Sequence, residues 1–413
     1  MQQESVVRGA LGWRGGEVDG ARCDQEVESA LRAVRAHLGM EIGFVSEFMG
    51  HERIFRHVDT TLAEPPIRAG HRLSMDEGYC RKVVEGMLPE LIPDTALIPA
   101  ALEIPETVLL PIGSHISVPI RLSDGTIYGT FCCFSSLPDR SLSIRDLQMM
   151  RAVADMVAAQ VEAKVSSQKV QDSLKAKIVA VLAAGGPQMV YQPIVRLNDM
   201  AVVGVEALAR FTGSPQQAPD RWFADADAAG MRGELEFAAM RNAVRDFFAV
   251  SREGLYLALN ISPKIVMGSD LVAVLEGCPL ERIVLELTEH EHVEDYDGLY
   301  RSLARVRARG VRIAVDDAGS GYASLRHVLS IRPDIIKLDL SLTRAIEDDP
   351  VRQALAAAIV AFGRHVSCKI VAEGIENESQ LRALRALGVE HGQGYLLARP
   401  ASATDVVRMT DLA

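Results

Sequence analysis

VRIAVDDAGSGYASLRHVLSIRPDIIKLD, residues 311–339, is the stretch whose reading decides the fold. The apolar run Ile313, Ala314, Val315 ends in two adjacent carboxylates, Asp316 and Asp317, and a glycine-broken loop, Gly319-Ser320-Gly321, follows at once. A second apolar run, Ile335-Ile336, ends in Lys337-Leu338-Asp339. Short continuous apolar runs bounded by turn residues read as strands buried on both faces. Two such strands that each deliver charged groups at their carboxyl ends describe the mouth of a site rather than a solvated face.

The same pattern extends outward in both directions. Strands are expected at 189–195, 202–210, 255–261, 282–288, 311–316, 335–338, 369–372 and 394–397, with helices at 235–250, 297–309, 352–365 and 379–387. After an initial hairpin, strands alternate with helices, which predicts a TIM-like (β/α)8 barrel with one antiparallel strand. Such barrels hold their chemistry at the carboxyl ends of the strands. Those ends carry Glu206, Asn260, Glu286 with Glu289, Asp316 with Asp317, Lys337 with Asp339, and Glu373 with Glu376, while Gln192 and Gln393 lie in the first and last strands. Taken singly, each has an ordinary reading as a helix-end acid or a solvated charge. At successive strand ends of one barrel they converge. So many carboxylates together oppose one another's ionisation, and divalent cations relieve that opposition. An oxygen-only set without Cys or His suits Mg²⁺ or Mn²⁺ better than zinc.

Upstream, a helix is expected at 24–38, strands at 42–48, 53–58, 115–121 and 127–134, a helix around 79–85, and an irregular Pro-rich segment at 88–106. Ser123-Asp124-Gly125 between two strands is a hairpin signal. This is an α+β module with a central antiparallel sheet. Residues 143–184 are nearly free of Gly and Pro, and apolar residues recur at a three-four spacing from Leu147 to Val181. That spacing predicts the seam of a coiled coil or a helix pair, read as a dimerising signalling helix against the plainer alternative of a domain-ending helix followed by an independent entry helix, and Gly185-Gly186-Pro187 ends it.

The totals set limits. A chain of 413 residues predicts two domains. The net charge of −11 argues against a partner that is a nucleic-acid polymer. Six cysteines without CxxC spacing point to neither a disulfide framework nor a zinc site, and Cys132-Cys133 reads as core. With no signal-like N-terminus and no membrane-spanning run, a cytoplasmic protein without membrane insertion is expected.

The first third resembles a GAF domain through GYCRKVVEG at 78–86, LIPDT at 91–95, IGSHISVPI at 112–120 and DGTIYGTFCCF at 124–134. The resemblance implies a sensory module of unknown ligand. Its cyclic-nucleotide signature is absent, and Cys80 stands outside the usual bilin attachment position. His51 and His57 are candidate haem or metal ligands, set against the ordinary reading of lone strand histidines as structural or solvated. The second part resembles an EAL domain, the cyclic-di-GMP phosphodiesterase family. The motifs are YQPI at 191–194, EALAR at 206–210, NIS at 260–262, ELTE at 286–289, DDAGSGYASL at 316–325, KLD at 337–339, EGIE at 373–376 and QGY at 393–395.

That resemblance implies hydrolysis of cyclic-di-GMP to linear pGpG with two Mg²⁺ or Mn²⁺ ions, and a homodimer through this domain and the 143–184 helix. It implies metal ligation by Glu206, Asn260, Glu286, Asp316, Asp317 and Asp339, and catalysis by Glu373 and Lys337 with Glu206. Substrate contacts would come from Gln192, Arg210, Gln393 and Glu376, and a regulatory loop from Glu289 with Gly319, Ser320 and Gly321. Ala318 replaces the loop's usual Phe, Asp227 stands in the usual Glu position of FADADA at 223–228, and Leu340 replaces a common Arg. The resulting division is a tail at 1–22, a GAF domain at 23–165, a linker helix at 166–184 and an EAL domain at 185–413. The rival expectation is a silent EAL receptor that binds the nucleotide and acts through protein partners.

Overall fold

The computed structural model describes residues 20–410 except 77, 214–215, 252, 270, 289–292 and 319–327, and leaves the side chains of 20–22, 317, 318 and 410 undescribed. Two compact units divide at Val170/Gln171.

In the first unit, six strands form one antiparallel sheet. They are β1 (Ile42–Met49), β2 (Glu52–Thr60), β3 (Arg72–Ser74), β4 (Leu91–Ile92), β5 (Ser114–Arg121) and β6 (Ile127–Ser135), in the order β3-β2-β1-β6-β5-β4. The run Phe131-Cys132-Cys133-Phe134 explains why both faces need covering. Successive side chains leave a strand on opposite faces. Phe131 and Cys133 pack with Val27, Leu31 and Val34 of the helix Gly20–His37, while Cys132 and Phe134 pack with Phe44, Phe55 and Ile92 on the other side. The expected hairpin closes between β5 and β6, where Gly125 takes φ +84°. The segment expected to be irregular instead holds β4 and two short helices, Pro99–Leu102 and Pro105–Leu109, each started by a proline that needs no N–H partner there.

One helix runs from Ile144 to Ala183, and Gly185 and Gly186, at φ +100° and +82°, terminate it. No described helix is long and apolar enough to cross a membrane.

The second unit is a closed barrel of eight strands: β7 (Gln188–Arg196), β8 (Val202–Arg210), β9 (Tyr256–Ile261), β10 (Ile283–Leu287), β11 (Arg312–Ala318), β12 (Ile335–Leu338), β13 (Lys369–Ala372) and β14 (His391–Gly392). β7 runs antiparallel to its neighbours β8 and β14, and every other pairing is parallel. Outward residues such as Leu257, Leu285, Ile313 and Ile336 lie under the surrounding helices, and inward residues Ala258, Val284, Ala314, Ile335 and Val371 fill the interior. Both periods are apolar, so the strands read as unbroken apolar runs.

The last strand corrects the sequence reading. It lies at 391–392 rather than 394–397, and residues 394–397 form a turn in which Leu397 N–H donates to the Gly394 carbonyl at 3.0 Å. Gly394 lies so close to the Ile375 backbone that a Cβ would meet it at 2.2 Å. The apolar Leu396-Leu397 pair imitated a strand because the turn packs it against the barrel core.

Candidate active site

Two residues beyond the apolar interior layer, the same inward period delivers Asn260 after Ala258, Glu286 after Val284, Asp316 after Ala314, Lys337 after Ile335 and Glu373 after Val371. Gln192 of β7 sits opposite Glu206 of β8, and Gln393 follows β14 directly. Strand period and barrel closure thus bring seven of these groups together, all but Gln192.

Lys337 is their hub. Its Nζ lies 2.6 Å from Glu373 Oε1, 2.8 Å from Glu286 Oε2, 3.2 Å from Asp316 Oδ1 and 3.3 Å from Glu206 Oε2, and the side chain is 1% exposed. Burial alone would pull the ammonium's pKa down. The four acids outweigh that and hold it well above the usual lysine range. One positive charge cannot neutralise four carboxylates, and they divide accordingly. Glu206 also accepts from Asn260 Nδ2 at 3.0 Å and Gln393 Nε2 at 2.7 Å, so despite burial it stays below the usual glutamate range. Among the described residues Glu286 has only Lys337 as a donor, and burial drives it well above that range. Burial likewise pushes Glu373 up to about 8, against the pull of Lys337. Gln393 Nε2 reaches Glu373 Oε1 at 3.1 Å, while its own Oε1 is buried without a partner among the described residues.

Glu206, Asn260 and Asp316 open onto a cavity of about 1090 Å³, which Arg210 and Asp227 also line. The remaining expected site residues do not join the Lys337 cluster. Arg210 is exposed at the rim and donates to its neighbour's carbonyl. Gln192 donates to the Ala398 carbonyl at 3.4 Å. Asp339 caps the short helix Leu340–Thr343 by accepting from Ser341 N at 2.8 Å. Glu376 is exposed, and its backbone N–H donates to Gln380. Glu289, Gly319, Ser320 and Gly321 lie outside the described residues, as does the side chain of Asp317.

Sequence reading missed Glu236, on the helix Arg232–Phe248. This buried acid lines the cavity and accepts from Ser262 N–H at 3.1 Å and Ser262 Oγ at 3.2 Å, which fixes the turn two residues after Asn260. An acid within the apolar stretch Leu235–Met240 was the available signal.

Two family models match: the EAL domain over residues 145–400 and the GAF domain over 23–161. The chain belongs to the EAL family. Its architecture is a GAF domain followed by an EAL domain. Among curated relatives it is 30% identical over 224 residues to the probable cyclic di-GMP phosphodiesterase PdeD of Escherichia coli, covering 52% of this chain and 41% of that protein. It is 35% identical over 224 residues to the cyclic di-GMP phosphodiesterase NbdA of Pseudomonas aeruginosa, covering 51% and 28%. The chain therefore spans less than half the length of either relative. Among solved structures, the PaMucR phosphodiesterase in complex with c-di-GMP is 28% identical with a TM-score of 0.52, over 57% of this chain and 99% of that one. The EAL enzyme Bd1971 covers 90% of this chain and 93% of its own at 18% identity and a TM-score of 0.56, a likeness of fold.

Proposed function

We propose that this EAL protein hydrolyses one phosphodiester bond of cyclic-di-GMP to give linear pGpG, with its GAF domain as regulator. The observation that carries the reading is the single layer of Glu206, Asn260, Glu286, Asp316, Lys337, Glu373 and Gln393 at one mouth of the barrel.

The donor set fits Mg²⁺ or Mn²⁺. It is all oxygen, it carries more negative charge than Lys337 can offset, and it includes the orphaned Gln393 Oε1. Among the described residues the acids close on the Lys337 ammonium and no group of three is spaced as a finished cation cage. Glu206, Asn260, Glu286 and Asp316 would hold a first ion, and Asp317 would share a second. Bound there, such ions activate water at neutral pH and offset charge on the phosphoryl oxygens.

The chain's own groups supply the rest. Lys337 stays protonated and places fixed positive charge beside the acids. Glu373 has a proton affinity near neutral, which suits a carboxylate that takes a proton from attacking water. Gln393 ties Glu373 to Glu206 and so holds both in register. Arg210 at the rim offers a guanidinium for a phosphate.

The protein further acts as a homodimer. Along the helix Ile144–Ala183, Leu147, Met150 and Val157 of the expected seam pack into the first unit's core and Ile178 into the second unit, while Val170 between them is 57% exposed and free to meet a second copy. Light scattering that returns a monomer would sink that part.

The deciding experiment incubates purified full-length protein with cyclic-di-GMP and Mn²⁺ or Mg²⁺. Linear pGpG is expected. Tight nucleotide binding with no linear product under either metal overturns the enzymatic reading. Glu373→Gln should lower kcat by about 10²–10⁴ while sparing nucleotide binding.

A further inference from the structure

The barrel has a second mouth, at the end opposite Lys337. The inward period of two runs towards the strand starts as well: Arg312 precedes Ala314 by two residues, Lys369 precedes Val371 and His391 precedes Gln393. With Arg196 and Arg385 these side chains line a cavity of about 800 Å³. The chain carries a net charge of −11, yet this cavity gathers three arginines, a lysine and a histidine against one lining carboxylate, Glu390.

The partners of these cations are few. Arg196 pairs with Asp199 at 2.7 Å, and Arg385 donates to the Leu197 carbonyl at 2.6 Å and to Met200 Sδ at 3.0 Å, both neutral. Arg312 lies over the Tyr256 ring at 4.7 Å, and its buried Nε has no hydrogen-bond partner among the described residues. Arg312 and Lys369 form no ion pair among the described residues. His391 is 7% exposed, and its Nδ1 is buried without a partner among the described residues. Burial, then the charges of Lys369 and Arg196, keep that imidazole below its usual pKa. Buried polar atoms normally find partners, and two side chains that keep such an atom unpartnered among the described residues, Arg312 and His391, both line this cation-rich cavity.

We propose that this cavity binds a small phosphate-bearing anion, held by Arg312, Lys369 and His391. A phosphate offers several acceptor oxygens and close to two negative charges, matching the guanidinium fork of β11, the ammonium of β13 and the imidazole of β14 that line one cavity. A nucleic-acid strand is disfavoured, because the chain's net charge of −11 argues against an extended basic face to carry one. The site is independent of the catalytic mouth, since the apolar layer of Ala258, Val284, Ala314 and Val371 lies between them.

The test is calorimetric titration of the full-length protein, in chelator so that no metal recruits phosphate to the other mouth. Inorganic pyrophosphate and guanosine monophosphate are the two probes, and whichever binds names the source of the phosphate. Saturable one-to-one binding with Kd below about 1 mM is expected for at least one of them. Lys369→Glu, at an exposed strand start, should weaken it by about tenfold or more, and His391→Gln by several-fold. Arg210→Ala, at the opposite mouth, should leave it unchanged. Absence of saturable heat with both probes overturns the proposal. So does equal affinity in Lys369→Glu, or a loss confined to Arg210→Ala. Because binding is the readout, failure of the hydrolysis assay leaves this result standing, and the reverse holds too.

Discussion

At the scale of single residues, Lys337 is the group on which the layer of acids at the barrel mouth depends. It contacts four carboxylates in a buried site, so removing it leaves charges that have already given up their water. Breaking a buried ion pair by deleting one partner costs about 3–5 kcal/mol. Lys337→Met should therefore lower the stability of the barrel unit by that amount in metal-free urea melts, with a smaller loss at pH 5 than at pH 8 because protonated acids need no counter-charge. A loss that does not vary with pH would refute this account. His115 makes the complementary case in the GAF domain. It is 2% exposed, it packs on Tyr79 at a centroid distance of 4.6 Å, and burial followed by the Arg53 charge lowers its pKa from 6.5 to about 3. A histidine held neutral in the fold contributes stability that is complete above about pH 6.5 and is lost as pH falls towards 3, at about 1.4 kcal/mol per pH unit. Urea midpoints between pH 7 and 5 should fall by that slope in the wild type and not in His115→Gln. Both effects hang on side chains whose identity the sequence printed plainly. Their burial was not printed, and burial produces the shift.

At the scale of elements, strand period was the legible signal. Seven of the eight barrel strands lie close to where apolar runs end in polar residues, because an inward face that turns from apolar to charged leaves an i, i+2 trace. The eighth lacked the trace. β14 is two residues long, and Leu396-Leu397 offered a stronger apolar run that folds as a turn. The helix Pro219–Ala228 was missed for a related reason: its alternating acids hid Trp222 and Ala226, which are buried on one face. Close approach between elements also escaped notice. Gly204 of β8 faces the Tyr256 ring of β9, where a Cβ would come within 2.6 Å of ring carbons. Gly204→Ala should cost about 1–3 kcal/mol through overpacking. Pairing it with Tyr256→Leu should recover part of that in a double-mutant cycle, and strict additivity would show that the contact is not the cause.

At the scale of the whole molecule, the chain divides within the helix Ile144–Ala183, after Val170. Each unit has its own apolar core, so the full-length protein should melt in two calorimetric transitions, and only the GAF transition should move with His115 titration. If the GAF domain regulates, the fragment 171–413 should hydrolyse cyclic-di-GMP at a rate different from the full chain. Equal rates would leave it no regulatory role in that assay. The sequence by itself determined the two-part architecture, the barrel with its one reversed strand, and the acids at the strand ends. These follow from period and order along the chain, which are local properties. Only the tertiary structure decided that Lys337 draws four acids onto one nitrogen, that Asp339 caps a helix instead, and that the starts of the same strands gather cations around a second cavity. Those facts depend on which strands become neighbours when the barrel closes and on which charges lose their water in doing so. Neither is written in any single stretch, the 311–339 segment included.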